Sequence, residues 1–284
     1  MELTGSGRLS INVHSDITKM DTILYDSYEE FVAEAYPQKG DNTYIYDLSA
    51  GTYFLVFDKY SGTGAYSFSL NYKASGETYT EENNTIDAVR NAASIPFAKK
   101  IRGQIALNDS YDYYKVAVSK SVKLKIKVHS DIAGVGIDLY DSDGYNTTLD
   151  YSMPKGDKVY KYTLAKGTYF LRFSKNDGTG NYSFTAAPSV SRPSFASVAK
   201  GRKSIRLKWK KVSGANGYVI QYATNKNFTK GKNQKTIKNS RTTSKKIKKL
   251  KAKKRYYVRI RAYKTFEGKK YYSSWSKVRS VKTK

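Results

Sequence analysis

What the sequence lacks excludes several classes of protein. Its 284 residues include no cysteine, which excludes disulfides, thiolate metal sites and cysteine nucleophiles. It has no run of about 18 apolar residues, so no segment is predicted to span a membrane as a helix. The two histidines, His14 and His129, occupy the same position of a repeated VHSD motif, which favours a structural role over a catalytic triad. We therefore predict that the chain is not an enzyme.

Acidic residues are nearly absent from the C-terminal third. Residues 190–284 contain 31 Lys and Arg and a single acid, Glu267, whereas residues 1–189 contain 20 bases and 23 acids. The excess positive charge therefore belongs to one end, and two kinds of module are joined in one chain. A region this basic is expected to bind polyanions, because binding releases their counterions.

The first two-thirds of the sequence contain an internal repeat. LSINVHSDI at residues 9–17 matches LKIKVHSDI at residues 124–132, and GTGAYSFSL at residues 62–70 matches GTGNYSFTA at residues 178–186. These matches, with others between them, predict a duplicated domain. We name the two halves the first copy and the second copy.

The local pattern in both copies is that of short β-strands. Apolar and polar residues alternate in segments such as 124–130, and turn signals such as Asp143-Gly144 separate these segments. The pattern predicts an all-β fold of tandem antiparallel β-sandwiches, with jelly-roll-like repeats followed by an immunoglobulin-like sandwich. We divide the chain into domains at residues 1–75, 76–188 and 189–284.

The two copies differ at their beginnings. Eight residues precede the LSINVHS strand of the first copy, whereas residues 79–123 precede the equivalent strand of the second. We expect the first sandwich to lack one or two strands and to expose an unpaired strand edge. It should be the least stable part of the chain, or it should borrow a partner strand.

The second copy resembles the bacterial pre-peptidase C-terminal domain, a family that includes the collagen-binding modules of clostridial collagenases. The resemblance covers the whole domain, about residues 79–188. Its motifs, in the order of the family, are Glu81-Glu82-Asn83-Asn84, Ala92, Gly103-Gln104-Ile105, Asp112-Tyr113-Tyr114, Gly167-Thr168-Tyr169-Phe170-Leu171 and Gly180-Asn181-Tyr182. It implies a sandwich that accompanies the catalytic domains of secreted hydrolases.

The same resemblance implies a calcium site, because some members of the family bind this ion. The candidate ligands are Glu81, Asn83, Asp109 and Asp112. Calcium takes about six to eight oxygen ligands, which is why Asp109 joins the set. The sequence departs from the family at Ser110, which replaces an acid of the Asp-x-Asp pair. Asn83 and Asp112 can instead cap turns. No cofactor is required otherwise.

Residues 189–284 resemble a fibronectin type III domain. Trp209 occupies the position of the core tryptophan, and Leu250 precedes Tyr256 at the spacing of the tyrosine corner of that family. The last strand is predicted over residues 273–283. The resemblance implies an interaction or spacer module without catalysis.

The basic segment KKIKKLKAKKR predicts a dense cationic loop in this domain. The candidate polyanion-binding residues are Lys245, Lys246, Lys248, Lys249, Lys251, Lys253, Lys254 and Arg255. The expected ligands are extracellular or cell-wall polyanions, with nucleic acid bound only non-specifically. Alternatively, the charges form a solvated face that keeps a spacer soluble.

These features together predict a non-catalytic adhesion region of a secreted or cell-surface bacterial protein, acting as spacer and docking module beside neighbouring domains of a larger parent. Residues 1–20 lack the apolar core of a signal peptide, so an export signal is expected outside this sequence. The alternative is a carbohydrate- or collagen-binding module of a secreted hydrolase. Tyr111, Tyr113 and Tyr114 would then form the ligand platform, although alternate strand residues must be buried.

Overall fold

The computed structural model describes residues 1–78 and 85–284. Their regular secondary structure is β-strand except for one short helix, which confirms the predicted all-β fold of antiparallel β-sandwiches. They pack into two compact units. Unit 1 comprises Met1–Lys120, Ile126–Tyr160 and Ala165–Ala186, and unit 2 comprises Ser121–Lys125, Lys161–Leu164 and Ala187–Lys284. The finer division into three domains stays a prediction. No helix in the described part of the chain is long and apolar enough to cross a membrane.

The first copy folds into two facing sheets. Its strands are β1 (Glu2–Leu3), β2 (Gly7–Ser15), β3 (Lys19–Asp26), β4 (Phe31–Ala35), β5 (Gly40–Leu48), β6 (Gly51–Ser61) and β7 (Tyr66–Ala74). One sheet has the order β1-β6-β3-β4 and the other the order β5-β2-β7. Alternation along β2 directs Leu9, Ile11 and Val13 into the core, where they pack with Leu24 and Tyr53.

The second copy shares six strands with the first, and it has two longer strands where the first copy has only the two-residue strand β1. Its elements are α1 (Ile86–Arg90), β8 (Ile101–Ile105), β9 (Tyr111–Val118), β10 (Val122–Ser130), β11 (Val135–Asp141), β12 (Asn146–Met153), β13 (Gly156–Leu164), β14 (Gly167–Lys175) and β15 (Gly180–Pro188). The sheets have the orders β13-β10-β15-β8 and β12-β11-β14-β9. Strands β8 and β9 therefore each add an outer neighbour, to β15 and β14.

An aromatic cluster forms the core of the second copy. The ring of Phe173 stacks on that of Tyr182 with centroids 4.3 Å apart, and it lies 5.0 Å from the ring of Phe184. Tyr114 of β9 covers this pair edge-on, at 5.9 Å from Phe173 and 4.9 Å from Phe184. Strand β9 thus closes the core as well as extending the sheet.

Within unit 1, the buried side chain of Asp47 connects the two copies. Its carboxylate accepts hydrogen bonds from Arg8 Nε at 2.9 Å, from Thr179 Oγ1 at 3.0 Å and from Gln104 Nε2 at 3.3 Å. Its backbone carbonyl accepts a further bond from the amide of Leu107 at 2.7 Å. Three of these donors belong to the second copy, so Asp47 joins segments far apart in sequence.

Unit 2 contains a separate sandwich. Its strands are β16 (Phe195–Gly201), β17 (Ser204–Trp209), β18 (Gly217–Ala223), β19 (Asn233–Ile237), β20 (Ser244–Ile247), β21 (Arg255–Phe266), β22 (Lys269–Tyr272) and β23 (Arg279–Lys282). One sheet has the order β16-β17-β20. The other has the order β19-β18-β21-β22, with β23 also paired to β21. Strands β19 and β20 therefore end their respective sheets on one side.

The predicted anchors of this sandwich are present. The buried ring of Trp209 meets that of Tyr218 edge-on with centroids 5.4 Å apart. The hydroxyl of buried Tyr256 accepts a hydrogen bond from the amide of Lys251 at 3.1 Å, which forms the tyrosine corner beside buried Leu250. The second contact fixes the loop that follows β20 against the core.

The prediction of a continuous last strand over residues 273–283 is wrong at its beginning. The strand is limited to β23, and before it the amides of Ser273 and Ser276 donate to the carbonyls of Ala262 and Ile260 while their hydroxyls accept from the amides of the same two residues. The amide of Ala262 donates to Ser273 Oγ at 3.0 Å, and the amide of Ile260 donates to Ser276 Oγ at 3.1 Å. Side-chain hydroxyls thus satisfy the β21 backbone where a strand was expected.

Candidate polyanion-binding groove

An open groove of about 960 Å³ runs between the two sheet edges of unit 2. Strand β20 and the loop after it form one wall, and strand β19 forms the other. Seven lysines line it: Lys235, Lys245, Lys246, Lys248, Lys249, Lys251 and Lys254. The remaining lining residues are Tyr222, Thr224, Gly231, Asn233, Ile247, Leu250 and Tyr256. None of these fourteen residues is an Asp or a Glu.

The register of β20 explains why a lysine points into the groove. Lys245 lies opposite buried Leu207 of β17, so its side chain emerges on the core side of the sheet. Ile247, two residues further on, shares this side and is buried opposite Ile205. Because β20 is an edge strand, the Lys245 side chain is exposed at the open side of the sandwich and does not have to be buried.

The loop after β20 is held by several backbone contacts. Lys249 adopts φ 60° and Lys253 adopts φ 53°, so the backbone turns twice through the left-handed region. Buried Thr283 braces the loop, because its hydroxyl donates to the carbonyl of Lys251 at 2.7 Å and accepts from the amide of Lys254 at 3.1 Å. The lysine backbones are therefore fixed, while their side chains remain exposed.

The floor of the groove is aromatic. Tyr222 and Tyr256 are both largely buried and present part of their surfaces to the groove. Burial raises the pKa of the Tyr222 hydroxyl above its ordinary value, with a smaller contribution from Tyr256. Tyr222 therefore stays neutral at physiological pH and adds no negative charge among the lysines.

Six of the eight predicted cations line the groove, and two do not. Lys253 and Arg255 are exposed elsewhere, and the Arg255 guanidinium donates to Ser280 Oγ at 3.3 Å. Sequence reasoning missed Lys235, which reaches the groove from the opposite wall. The pairing of β19 with β18 positions it there, and a run of charge along the sequence gives no signal for this.

The predicted calcium ligands are only partly described. Glu81 and Asn83 lie outside the described residues. Asp109 and Asp112 are both buried; Asp109 accepts the amide of Tyr111 at 3.2 Å, and Asp112 accepts the hydroxyl of Tyr182 at 2.6 Å. In the described part of the chain, no cluster of three or more His, Asp or Glu could hold a metal ion. Calcium binding stays a prediction.

The predicted tyrosine platform is divided by strand alternation. Tyr111 is exposed and Tyr113 half-buried, with ring centroids 6.3 Å apart, whereas Tyr114 points into the core and lies outside any platform. Sequence reasoning missed two neighbours on the exposed face. Arg172 lies 4.8 Å from the Tyr111 ring and 5.1 Å from the Tyr140 ring.

A second group that sequence reasoning missed is an aromatic and arginine stack on β21. The Trp275 ring lies between the guanidinium groups of Arg259 and Arg261, at 4.5 Å from each. Phe228 and Tyr272 extend the stack beyond the two arginines, at 4.1 Å and 3.9 Å. Such cation–π contacts stabilise a surface that would otherwise hold two adjacent positive charges.

These features define an all-β chain built of sandwich modules. A family model for the fibronectin type III domain matches residues 188–279, so this part of the chain is a fibronectin type III domain, as predicted. Fibronectin type III and β-sandwich folds are typically non-catalytic.

The chain is also similar to several solved structures. One is the pre-peptidase C-terminal domain of a collagenase from Bacillus anthracis, at 23% identity over 33% of this chain and 91% of that chain, with a TM-score of 0.29. Another is an Fn3-like protein from Clostridium thermocellum, at 16% identity over 32% and 90%, with a TM-score of 0.23. A third is a segment of two fibronectin type III domains from chicken tenascin, at 16% identity over 58% and 96%, with a TM-score of 0.31.

Proposed function

We propose that this chain is a non-catalytic binding region of a secreted or surface-attached bacterial protein. In this proposal the fibronectin type III domain attaches to an extracellular polyanion through the lysine groove, and the two copies act as spacer and positioning modules for neighbouring domains. The observation that carries the proposal is that seven lysines and no carboxylate line one groove.

The chemistry of the groove favours a linear polymer that carries repeated negative charges. Lysine ammonium groups are compact point charges that lack the planar fork of arginine, so they select charge more than shape. Phosphate, sulfate and carboxylate polymers all satisfy this requirement. Nucleic acid would bind through its phosphates, because lysine contacts to phosphate carry no sequence information.

Two lysine-bearing walls suit such a polymer better than a flat charged face does. Lys235 approaches from β19, whereas Lys245 and Lys248 approach from β20 and the following loop. A polymer strand in the groove would therefore be neutralised from both sides. The fixed backbone of the loop limits the ordering entropy of binding to the lysine side chains.

The test is binding of the full chain to heparin and to long-chain polyphosphate over a range of salt concentrations, with a neutral glucan as negative control. The groove variant replaces Lys245, Lys248 and Lys251 with Gln. The matched control variant replaces Lys269, Lys277 and Lys282, which are exposed outside the groove lining, and so removes the same charge.

We expect the groove variant to reduce the steepness of the fall of log K with log salt by about 2 to 3, because each lost contact contributes roughly 0.7 to 0.9 to this slope. The control variant should change the slope by less than half as much. An equal loss in the two variants would contradict the groove, since the net field of the domain would then account for binding. Absence of polyanion binding at physiological salt would exclude attachment through the lysine groove.

The tyrosine platform supports a second candidate function, carbohydrate or collagen binding beside a hydrolase domain outside this chain. Its supporting observation is that Tyr111, Tyr113 and Tyr140 surround Arg172 on one exposed face. Tyr111→Ala should weaken binding to neutral glycans or a collagen peptide at high salt, whereas Tyr145→Ala, at an exposed tyrosine outside this group, should not. Equal effects of the two substitutions, or no binding, would exclude the platform.

A further inference from the structure

The first copy exposes side chains whose equivalents form the core of the second copy. Tyr66 is 46% exposed, whereas its equivalent Tyr182 is 2% exposed. Phe68 is 49% exposed, whereas its equivalent Phe184 is 1% exposed. The sequences of the two segments match, so the difference arises from what covers them and not from their composition.

The two cores differ by two strands. In the second copy, β8 pairs with β15 and β9 pairs with β14 along its length. In the first copy, the sheet containing β7 ends at β7, and β6 has on that side only the two-residue strand β1. Among the described residues, both sheets therefore end where their equivalents carry one more full strand.

We propose that this open face of the first copy binds a two-stranded β-segment with the residue pattern of residues 101–118. The face, which we call the acceptor face, consists of Leu55, Phe57, Tyr66, Phe68 and Leu70 together with the outer edge of β7 and the part of the β6 edge that β1 leaves open. Binding would add one strand to each sheet by main-chain hydrogen bonds, with side chains closing the core. The second copy shows the completed form of the same sandwich.

The second copy also specifies the chemistry of the donor segment. Tyr114 pairs with Leu171, the equivalent of Leu55, and covers Phe173 and Phe184. The equivalent rings in the first copy already lie together, with centroids of Phe57 and Phe68 4.8 Å apart. The donor should therefore carry an aromatic residue opposite Leu55.

A glycine is required opposite Tyr66. In the second copy Gly103 pairs with Tyr182, and a Cβ at Gly103 would lie 2.4 Å from the Tyr182 ring. An acidic residue is expected opposite Phe57, because Asp112 pairs with Phe173 and accepts the Tyr182 hydroxyl. An aromatic residue, a glycine and an acid at fixed register distinguish this donor from a generic apolar strand.

Another molecule of the same chain fits the acceptor face less well. Pairing of two β7 edges would extend one sheet but would leave the edge of β6 open in the other sheet. A donor that supplies a strand to each sheet satisfies both edges at once. Exposed apolar strand edges are otherwise sites of uncontrolled association.

The experiment adds a synthetic peptide of residues 99–118 to the full-length chain. Binding is measured by fluorescence anisotropy, and hydrogen exchange is measured at residues 54–61 and 66–70. We expect saturable binding that slows exchange in both segments. A peptide with Gly103→Val should bind at least about tenfold more weakly, since loss of one central contact commonly costs that much.

Two variants of the protein test the acceptor face itself, in place of the peptide. Phe68→Lys should weaken peptide binding at least about tenfold. Phe31→Lys, at an exposed residue of β4 on the far edge of its sheet, should not. If Phe68→Lys fails to fold, the comparison of the two peptides still decides the question.

Three results would overturn the proposal. The first is the absence of binding, and the second is binding without protection of residues 54–61 and 66–70. The third is a dimer in which these amides are already protected without peptide, because the acceptor face would then be occupied by another molecule of the same chain.

Discussion

Replacement of Asp47 by alanine should destabilise unit 1 more than the loss of a single surface carboxylate would. The carboxylate accepts from Arg8, Gln104 and Thr179, and alanine removes all of these bonds. Arg8 is half-exposed, so water replaces its lost partner at little cost. Gln104 is 2% exposed, and leaving its amide donor unsatisfied costs about 1–3 kcal/mol. With the weaker contribution of Thr179, we expect a loss of about 3 kcal/mol.

Urea unfolding followed by far-ultraviolet circular dichroism measures this loss. For a typical slope of about 2 kcal/mol per molar urea, the unit 1 transition should fall by about 1.5 M. Both tryptophans, Trp209 and Trp275, lie in unit 2, so tryptophan fluorescence provides an internal control that should not change. Asp41→Ala removes a highly exposed carboxylate from the same copy and should shift the transition very little. Equal shifts for Asp47→Ala and Asp41→Ala would refute the reasoning.

Three further predictions concern single contacts. The hydrogen bond to Asp41 raises the pKa of His14 above 6.5, so the NMR titration of the His14 ring should move to lower pH in Asp41→Asn. The stability that this pair contributes is present at acidic pH and is lost as the pH rises through the raised pKa. An unchanged titration would contradict the contact. The pKa of Tyr182 is raised mainly by burial and secondly by the charge of Asp112, so this phenol should resist alkaline ionisation in absorbance titrations. Because Asp112 accepts the Tyr182 hydroxyl, Asp112→Ala should lower the free energy of unfolding in urea by about 1–3 kcal/mol. Trp275→Ala should cost unit 2 about 1–2 kcal/mol by removing the ring between two arginines, and no change in the remaining tryptophan fluorescence transition would argue against the stack.

Much of the fold could be predicted from the sequence, because the governing signals are local or repeated. The alternation in residues 124–130 indicates an inward face, and Leu124, Ile126 and Val128 are indeed buried. The spacing of Leu250 and Tyr256 predicts the tyrosine corner that forms. The unequal beginnings of the two copies predict the open strand edge of the first.

The rest depends on contacts between residues far apart in sequence. Lys235 joins the groove only because β19 and β20 end their sheets on the same side, which strand patterns do not reveal. The bond between Asp47 and Thr179 joins residues 132 positions apart. Trp275 falls within the predicted last strand, but the serines on either side of it bond to β21 partly through their hydroxyls, and the ring lies beside Arg259.

The absence of carboxylates from the groove has a consequence for folding as well as for recognition. Folding of unit 2 gathers seven positive side chains along two walls, and their mutual repulsion opposes the compact state. An anion held there relieves the repulsion in the folded state and finds no equivalent site in the unfolded chain. By linkage, its binding free energy adds to the stability of the unit. If a polyanion binds in the groove as proposed, it would therefore also protect the domain from heat and proteolysis, and the unbound domain in dilute salt would be the form most readily degraded.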